Sequence, residues 1–345
     1  MKVLFIGGTG TISMAISRQL LEEGHELYLL NRGSRNGALP AGAHSIIADI
    51  EKEEEVKALL DGMTFDVAAD FIAFEKRQLE RDYRLFKDRC GQFIYISSAS
   101  AYQKPLSDYR ITEGTPLANP YWEYSRNKIA GEEYLMQLYR EEGFPVTIVR
   151  PSHTYDERSV PLGVHGKNGS YQVIKRMLEG KPVIIHGDGT SLWTMTHNSD
   201  FARGFIGLMN NIHAIGEAVQ ITSDESVTWN QAYDAIAKSL GVPLIAIHVS
   251  SEFLDACSEY DFKGGLLGDK ANTVVFDNTK LKRLVPGYTA QVRYDQGIKA
   301  TIEYVLSHPE CQREDPEFDA WCDAVVEVVT EAAEKVKKVW KKHIN

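Results

Sequence analysis

The apolar residues of the first 150 positions follow two alternating rhythms. Short β-branched and apolar runs at 3–6, 26–30, 45–48, 67–71, 92–96 and 146–149 predict strands. Between them, 12–23, 53–61, 75–88 and 124–142 repeat apolar side chains at intervals of three and four, which predicts helices. Such alternation is the pattern of βαβ units and predicts an α/β fold, a Rossmann-type doubly wound parallel sheet.

After Pro151 the texture changes. Glycine-rich turns fall at 163–169 and 187–189, helices are predicted at 169–179, 199–210, 230–240, 251–258 and 294–306, and strands at 183–185 and 218–221 remain free to join the sheet. The expected organisation is a nucleotide-binding domain over 1–165, a smaller α/β C-terminal substrate lobe over 166–310 and a C-terminal helix within 311–345. That last segment, 315–343, carries acids early and lysines late, as the helix dipole favours. It reads as a solvated or subunit-packing helix, with a nucleic-acid contact as the alternative.

Composition narrows the class. At 345 residues, 43% hydrophobic and 25% charged, the chain has the usage of an ordinary globular protein and is long enough for two lobes. A net charge of -10, with no basic face before the lysines of 335–342, argues against a nucleic-acid partner. Cys90, Cys257, Cys311 and Cys322 are scattered and form no C-x-x-C pair, which points to a reducing compartment and to no metal site. The opening apolar run is too short for a signal peptide or a membrane span, so a cytoplasmic protein without a membrane partner is expected.

Candidate chemistry begins at residue 7. Gly7, Gly10 and Ser13 form G-x-x-G-x-x-S directly after a strand and at the head of a helix, with Thr11 and Ile12 inside the turn. Gly7 suits a tight turn, Gly10 lets backbone approach a pyrophosphate, and the helix N-terminus supplies unpaired N–H groups. Ser13 is small enough to stand where a third glycine or alanine is usual. At the end of the second strand a carboxylate would bind the adenosine ribose and repel a 2′-phosphate. Here Asn31 is followed by Arg32 and Arg35, so NADP is favoured over NAD, unless those arginines are merely solvated. Asp49 and Ile50, after the third strand, are candidates for the adenine edge; Asp49 can equally cap a helix.

Tyr124 and Lys128 form Y-x-x-x-K at a helix head, one turn apart on one face. A tyrosine with its ordinary pKa of about 10 is a poor base at neutral pH, and a neighbouring ammonium stabilises its phenolate. Ser98 follows the fifth strand, where carboxyl ends of parallel strands line the crevice, and its hydroxyl can orient a substrate oxygen. Together these residues predict hydride transfer at a carbinol or carbonyl, with Ser98, Tyr124 and Lys128 as the catalytic set.

From GGTGTIS through YISSASAY, YWEYSRNK and VRPSHTY to HGDGTSLW and SDFARGF, the chain resembles the extended short-chain dehydrogenase/reductases of the NAD-dependent epimerase/dehydratase type. The resemblance implies a small-molecule substrate of sugar-nucleotide type, a homodimer, catalytic roles for Ser98, Tyr124 and Lys128, and nicotinamide contacts for Pro151 and His153. Members that eliminate water carry an Asp-Glu pair after the catalytic serine or threonine. Ala99 and Ser100 stand there, so an epimerase or a reductase is expected. His153 replaces a frequent asparagine and Trp193-Thr194 a frequent arginine, which weakens the expectation of a nucleotide diphosphate clamp.

Five residues are candidates for the substrate: Ser100, His153, Trp193, His197 and Arg293. His153 can also bond backbone, and Trp193 can simply pack. Asp70 and Glu75 either meet substrate or cap a helix. A non-catalytic alternative, a dinucleotide-sensing or RNA-binding module on the same fold, is opposed by the intact Ser98, Tyr124 and Lys128 and by the acidic balance.

Overall fold

Val3, Leu4, Phe5 and Ile6 have no exposed surface, because the strand they form is covered on both faces. In the computed structural model, which describes residues 1–34 and 39–344, this strand is β1 (Lys2–Ile6). It pairs in parallel with β2 (Glu26–Asn31) on one side and β4 (Phe65–Asp70) on the other. Beyond β2 lies β3 (His44–Ile47); beyond β4 lie β5 (Cys90–Ile96), then strand Val146–Pro151, then strand Ala218–Ile221. All seven strands run parallel. The doubly wound sheet read from the hydrophobic rhythm is therefore present, and 218–221 does join it.

Helices α1 (Thr11–Glu22), α2 (Glu53–Leu59), α3 (Lys76–Phe86) and α4 (Glu123–Glu142) connect the strands. Two apolar layers result. Ile16 and Leu20 of α1 pack with Phe201, Phe205 and Leu208 of helix Asn198–Leu208 over Val3, Phe5, Val67 and Ile94. Leu79, Leu85 and Phe86 of α3 and Leu135 and Leu138 of α4 cover Leu4, Ile6, Ala68 and Phe93 on the other face. Each fully buried Leu, Ile or Phe contributes roughly 1.5–3 kcal/mol, so the strand ends between the layers are held firmly.

The chain divides into two units that are interleaved in sequence. The first holds Met1–Tyr155, Thr194–Glu225 and Val275–Val292; the second holds Asp156–Trp193, Ser226–Val274 and Arg293–Asn345. This differs from a consecutive split near residue 165 and from a separate C-terminal segment. The difference arises because segments 194–225 and 275–292 return to the sheet, bringing Ala218–Ile221 and its covering helix with them, and no local pattern announces a return.

The second unit has its own core. Strands Val183–His186 and Ala246–Val249 pair in parallel, and Trp229, Tyr233 and Ile236 of helix Trp229–Leu240 are buried. The expected last helix runs Pro316–Ile344, with Phe318, Cys322 and Val325 buried. Among the described residues no helix is long and apolar enough to cross a membrane, and no group of three or more His, Cys, Asp or Glu is placed to hold a metal ion.

Candidate active site

The first turn after β1 explains its glycines. Gly7 and Gly8 have φ of +98° and +95°, a region closed to most side chains, and a Cβ on Gly8 would meet Leu29 Cδ2 at 2.6 Å. Gly10 is the extended N-cap of α1, and its N–H donates to Ser13 Oγ at 2.9 Å. Ser13 therefore acts as the capping partner of the turn as well as a small packing residue. The first turn of α1 contains no acid, so its positive end is not neutralised.

Beside this turn the first unit holds a cleft of about 490 Å³, lined by Gly7, Thr9, Asn31, Arg32, Ser34, Asp49, Ile50, Glu51, Ile72 and Phe74 among others. Asn31 Oδ1 accepts from Gly33 N at 2.8 Å, while its Nδ2 is buried without a hydrogen-bond partner. A buried amide donor left unpaired costs about 1–3 kcal/mol, and a ribose hydroxyl would satisfy it. Arg32 is exposed and has no ion-pair partner among the described residues. These residues fit an adenosine-bearing dinucleotide. Asp49 Oδ1 accepts from Glu51 N at 3.1 Å, turning the chain toward α2. Arg35, also expected here, lies outside the described residues.

The floor of the cleft is ionic. Arg81 Nη1 donates to Glu51 Oε1 at 2.7 Å, its Nε and Nη2 donate to Asp82 Oδ1 at 2.9 and 2.8 Å, and Nη2 lies 3.6 Å from Asp70 Oδ2. Burial, reinforced by the like charge of Asp70, pushes the Asp82 carboxyl well above the usual carboxylate range. Asp70 Oδ1 accepts from the N–H groups of Ile72 and Ala73 at 2.5 and 2.8 Å, so Asp70 shapes the loop after β4. It does not cap a helix as expected, since the N-cap of α3 is Glu75, five residues further on. Glu75 is exposed at the N-cap of α3, where its N–H donates to Gln78 Oε1.

That loop presents the Ala73 carbonyl to Lys128. Lys128 Nζ is buried and donates to Ala73 O at 2.7 Å and Ile96 O at 2.8 Å. It lies 4.8, 4.9 and 5.7 Å from the ring centroids of Phe74, Tyr95 and Tyr124. Burial lowers its pKa to about 8, against the opposing pull of the Asp70 and Glu132 carboxylates. Tyr124 is half-buried one turn earlier on α4, its ring 4.9 Å from Trp122 and 6.2 Å from Phe74. The Y-x-x-x-K spacing thus brings a phenol and an ammonium to one face.

Ser98 stands at the carboxyl end of β5. Ser125 Oγ donates to Ser100 Oγ at 2.7 Å, and Ser100 and Ser98 hydroxyls are 2.8 Å apart. Ser98 Oγ also accepts from Ser100 N at 3.1 Å. Ser125 and Ser100 are buried and Ser98 half-buried. The Ser125, Ser100 and Ser98 hydroxyls thus form a chain that ends at Ser98, and between Ser100 and Ser98 either hydroxyl can be the donor. Ser100 was expected at the substrate; the structure places it behind Ser98.

Three residues that sequence reasoning missed hold this arrangement. Asn119 Nδ2 donates to Ser100 O at 2.9 Å, and its Oδ1 accepts from Tyr121 N and Trp122 N, both at 3.1 Å, which ties the head of α4 to the Ser98 turn. Ser125 completes the hydroxyl chain. Glu132, one turn beyond Lys128, is gripped by Arg150 Nε at 2.9 Å and Nη2 at 2.5 Å and accepts from Ser97 Oγ. The glutamate four residues after the lysine was visible in sequence, but its partner is 18 positions away.

The remaining candidates separate. Pro151 ends its strand, beside β5, where Ser97 N donates to Val149 O at 2.8 Å. His153 opens strand His153–Tyr155, which pairs with Met195–His197; His197 caps the following helix, its Nδ1 2.8 Å from Ser199 Oγ. Trp193 and Arg293 belong to the second unit. Trp193 is only 4% exposed and stacks on Trp229 with centroids 5.9 Å apart, so the expectation of a ring offered to substrate gives way to a packed core tryptophan. Arg293 is an exposed helix N-cap paired with Asp295.

A parallel sheet with a glycine turn, an adenosine-sized cleft and a Ser-Tyr-Lys set defines a nicotinamide-dinucleotide-dependent enzyme of the extended short-chain dehydrogenase/reductase class. Residues 3–222 match the profile of the NAD dependent epimerase/dehydratase family, and the chain belongs to that family. It is similar to the 2'-dehydrokanamycin reductase of Streptomyces kanamyceticus, 23% identical over 288 residues, covering 84% of this chain and 80% of that one. It is also similar to the chloroplast stem-loop binding protein of 41 kDa b of Arabidopsis thaliana, 28% identical over 255 residues, 70% of this chain and 64% of that one. The crystal structure of UDP-glucuronic acid 4-epimerase from Bacillus cereus, in complex with UDP-glucuronic acid and NAD, superposes with a TM-score of 0.70 at 20% identity, covering 89% of this chain and 99% of that one.

Proposed function

We propose that this enzyme interconverts a carbinol and a carbonyl on a sugar-nucleotide-like substrate, as an epimerase or a reductase, with Tyr124 as acid/base. When bound, the nicotinamide supplies the hydride acceptor or donor. The observation that carries the reading is Lys128: a buried ammonium under the Tyr124 ring, with two of its three donors spent on Ala73 and Ile96 carbonyls. Its charge stabilises the Tyr124 phenolate, and its third N–H is left for a ribose hydroxyl. Ser98 donates its proton to the substrate oxygen, and Tyr124 takes or returns the proton of that oxygen. Ala99 and Ser100 supply neither the acid nor the base that water elimination requires.

We infer a preference for NADP over NAD from Asn31 and Arg32: the end of β2 offers an amide donor, a guanidinium without an ion-pair partner among the described residues, and no carboxylate. Gly10, Thr11 and Ile12 at the head of α1, with Pro151 and His153 beyond β5, complete the proposed cofactor contacts. We also take the working enzyme to be a cytoplasmic homodimer with no nucleic-acid partner.

The test begins by denaturing fresh protein and identifying any nucleotide released, then titrating stripped protein with NAD and NADP. Turnover of a panel of UDP- and dTDP-hexoses follows, for wild type and Tyr124→Phe. The reading expects nucleotide affinity to survive Tyr124→Phe and turnover to disappear. Turnover by Tyr124→Phe, or failure to bind either nucleotide, overturns it.

A further inference from the structure

The helix Pro316–Ile344 changes environment along its length. Phe318, Cys322 and Val325 are 1%, 1% and 5% exposed, yet every described side chain from Thr330 to Lys341 is exposed. The apolar stripe does not stop where burial stops. Val325, Val329, Ala332, Ala333, Val336, Val339 and Trp340 continue it at intervals of three and four, with Val336, Val339 and Trp340 exposed by 67%, 48% and 64%. A helical segment of about twelve residues is marginal in water on its own propensity and ordinarily needs an apolar partner.

Charge along the same segment comes in two blocks. From Glu327 to Glu334 there are three glutamates and no base; from Lys335 to Lys342 there are five lysines and no acid. Among the described residues Lys337 pairs with Glu334 at 2.7 Å, while Lys335, Lys338 and Lys341 have no ion-pair partner. A second copy laid antiparallel sets each lysine block beside a glutamate block, twice, whereas a parallel copy sets like against like. That antiparallel register is centred between Glu334 and Lys335 and sets Val329 opposite Trp340 and Ala333 opposite Val336, where the small alanine side chains let two helices approach closely. A lipid-inserting face would instead present bulky residues there.

We propose that this stripe is a self-association surface: the C-terminal helices of two copies pair antiparallel through Val329, Ala332, Ala333, Val336, Val339 and Trp340. The pairing is isologous, so it closes at two copies. It is independent of the catalytic assignment, which involves other elements.

Sedimentation of the full chain over a concentration series tests it, with Val336→Glu/Trp340→Glu as the variant and circular dichroism and nucleotide binding as controls for folding. The expected mass is at least twice the 38.7 kDa of one chain, and the variant should halve it without altering the controls. Because opposite charges oppose each other, added salt should loosen the assembly. A wild type that stays monomeric, or an assembly indifferent to the variant, overturns the proposal. Assembly that tightens with salt overturns the antiparallel arrangement. A monomer that binds phosphatidylserine vesicles through this stripe assigns it to a membrane surface and overturns self-pairing.

Discussion

Glu132→Ala tests whether the active-site helix is anchored by its buried ion pair. Glu132 and Arg150 side chains are 4% and 5% exposed, and the guanidinium reaches both carboxylate oxygens, Nε at 2.9 Å to Oε1 and Nη2 at 2.5 Å to Oε2. Burial works against the charge of Arg150, but the Glu132 carboxylate outweighs it and its pKa is raised. Removing the carboxylate leaves a guanidinium with the Tyr102 ring 4.9 Å away and the Glu113 carbonyl at 3.4 Å, which cannot replace an anion. Breaking one side of such a pair costs about 3–5 kcal/mol, a hundredfold to a few thousandfold in the folding equilibrium. Against a total stability of about 5–15 kcal/mol that is a large fraction. Urea unfolding followed by fluorescence and circular dichroism measures it. The double variant Glu132→Leu/Arg150→Met should recover much of the loss, since it leaves no buried charge unpaired. A loss below about 1 kcal/mol for Glu132→Ala refutes the reasoning and makes the pair a bystander.

Further outcomes follow from the same geometry. Arg32→Ala should weaken NADP binding roughly tenfold, the worth of one charge-assisted contact, and leave NAD unchanged in a fluorescence titration; equal losses for both nucleotides would place Arg32 elsewhere. Lys128 has a folded pKa of about 8 against an ordinary 10.5, so the unfolded chain binds the extra proton between those values. Stability should therefore rise with pH across that window, by at most about 3 kcal/mol, relative to Lys128→Met; parallel curves for the two proteins would show that burial does not penalise the ammonium. Ser125→Ala removes the inner donor of the hydroxyl chain and should lower kcat about fivefold to tenfold with cofactor Kd unchanged. An unaffected kcat would sever Ser125 from the site.

Much of the first unit was legible because its instructions are local. A strand buried on both faces is a continuous apolar run, an amphipathic helix repeats at three and four, and a Gly-x-x-Gly turn must follow its strand directly. The Tyr124–Lys128 spacing is likewise one helical turn, so their common face could be read from numbers alone. Ser100 and Trp193 show where such reading stops. Both sit at positions that face substrate in the resemblance, yet Ser100 turns inward to Ser125, and Trp193 packs on Trp229.

The linear chain by itself determined the sheet, the glycine turn and the identity of the chemical groups, since each depends on neighbours a few residues apart. Tertiary structure alone decided how those groups are held. Arg81 joins Glu51, Asp70 and Asp82, Asn119 ties α4 to the Ser98 turn, and Arg150 closes on Glu132. It also decided that segments 194–225 and 275–292 return to the first unit. Buried polar groups must find partners wherever the chain brings them, and which distant residue supplies the partner is a property of packing that no local pattern records.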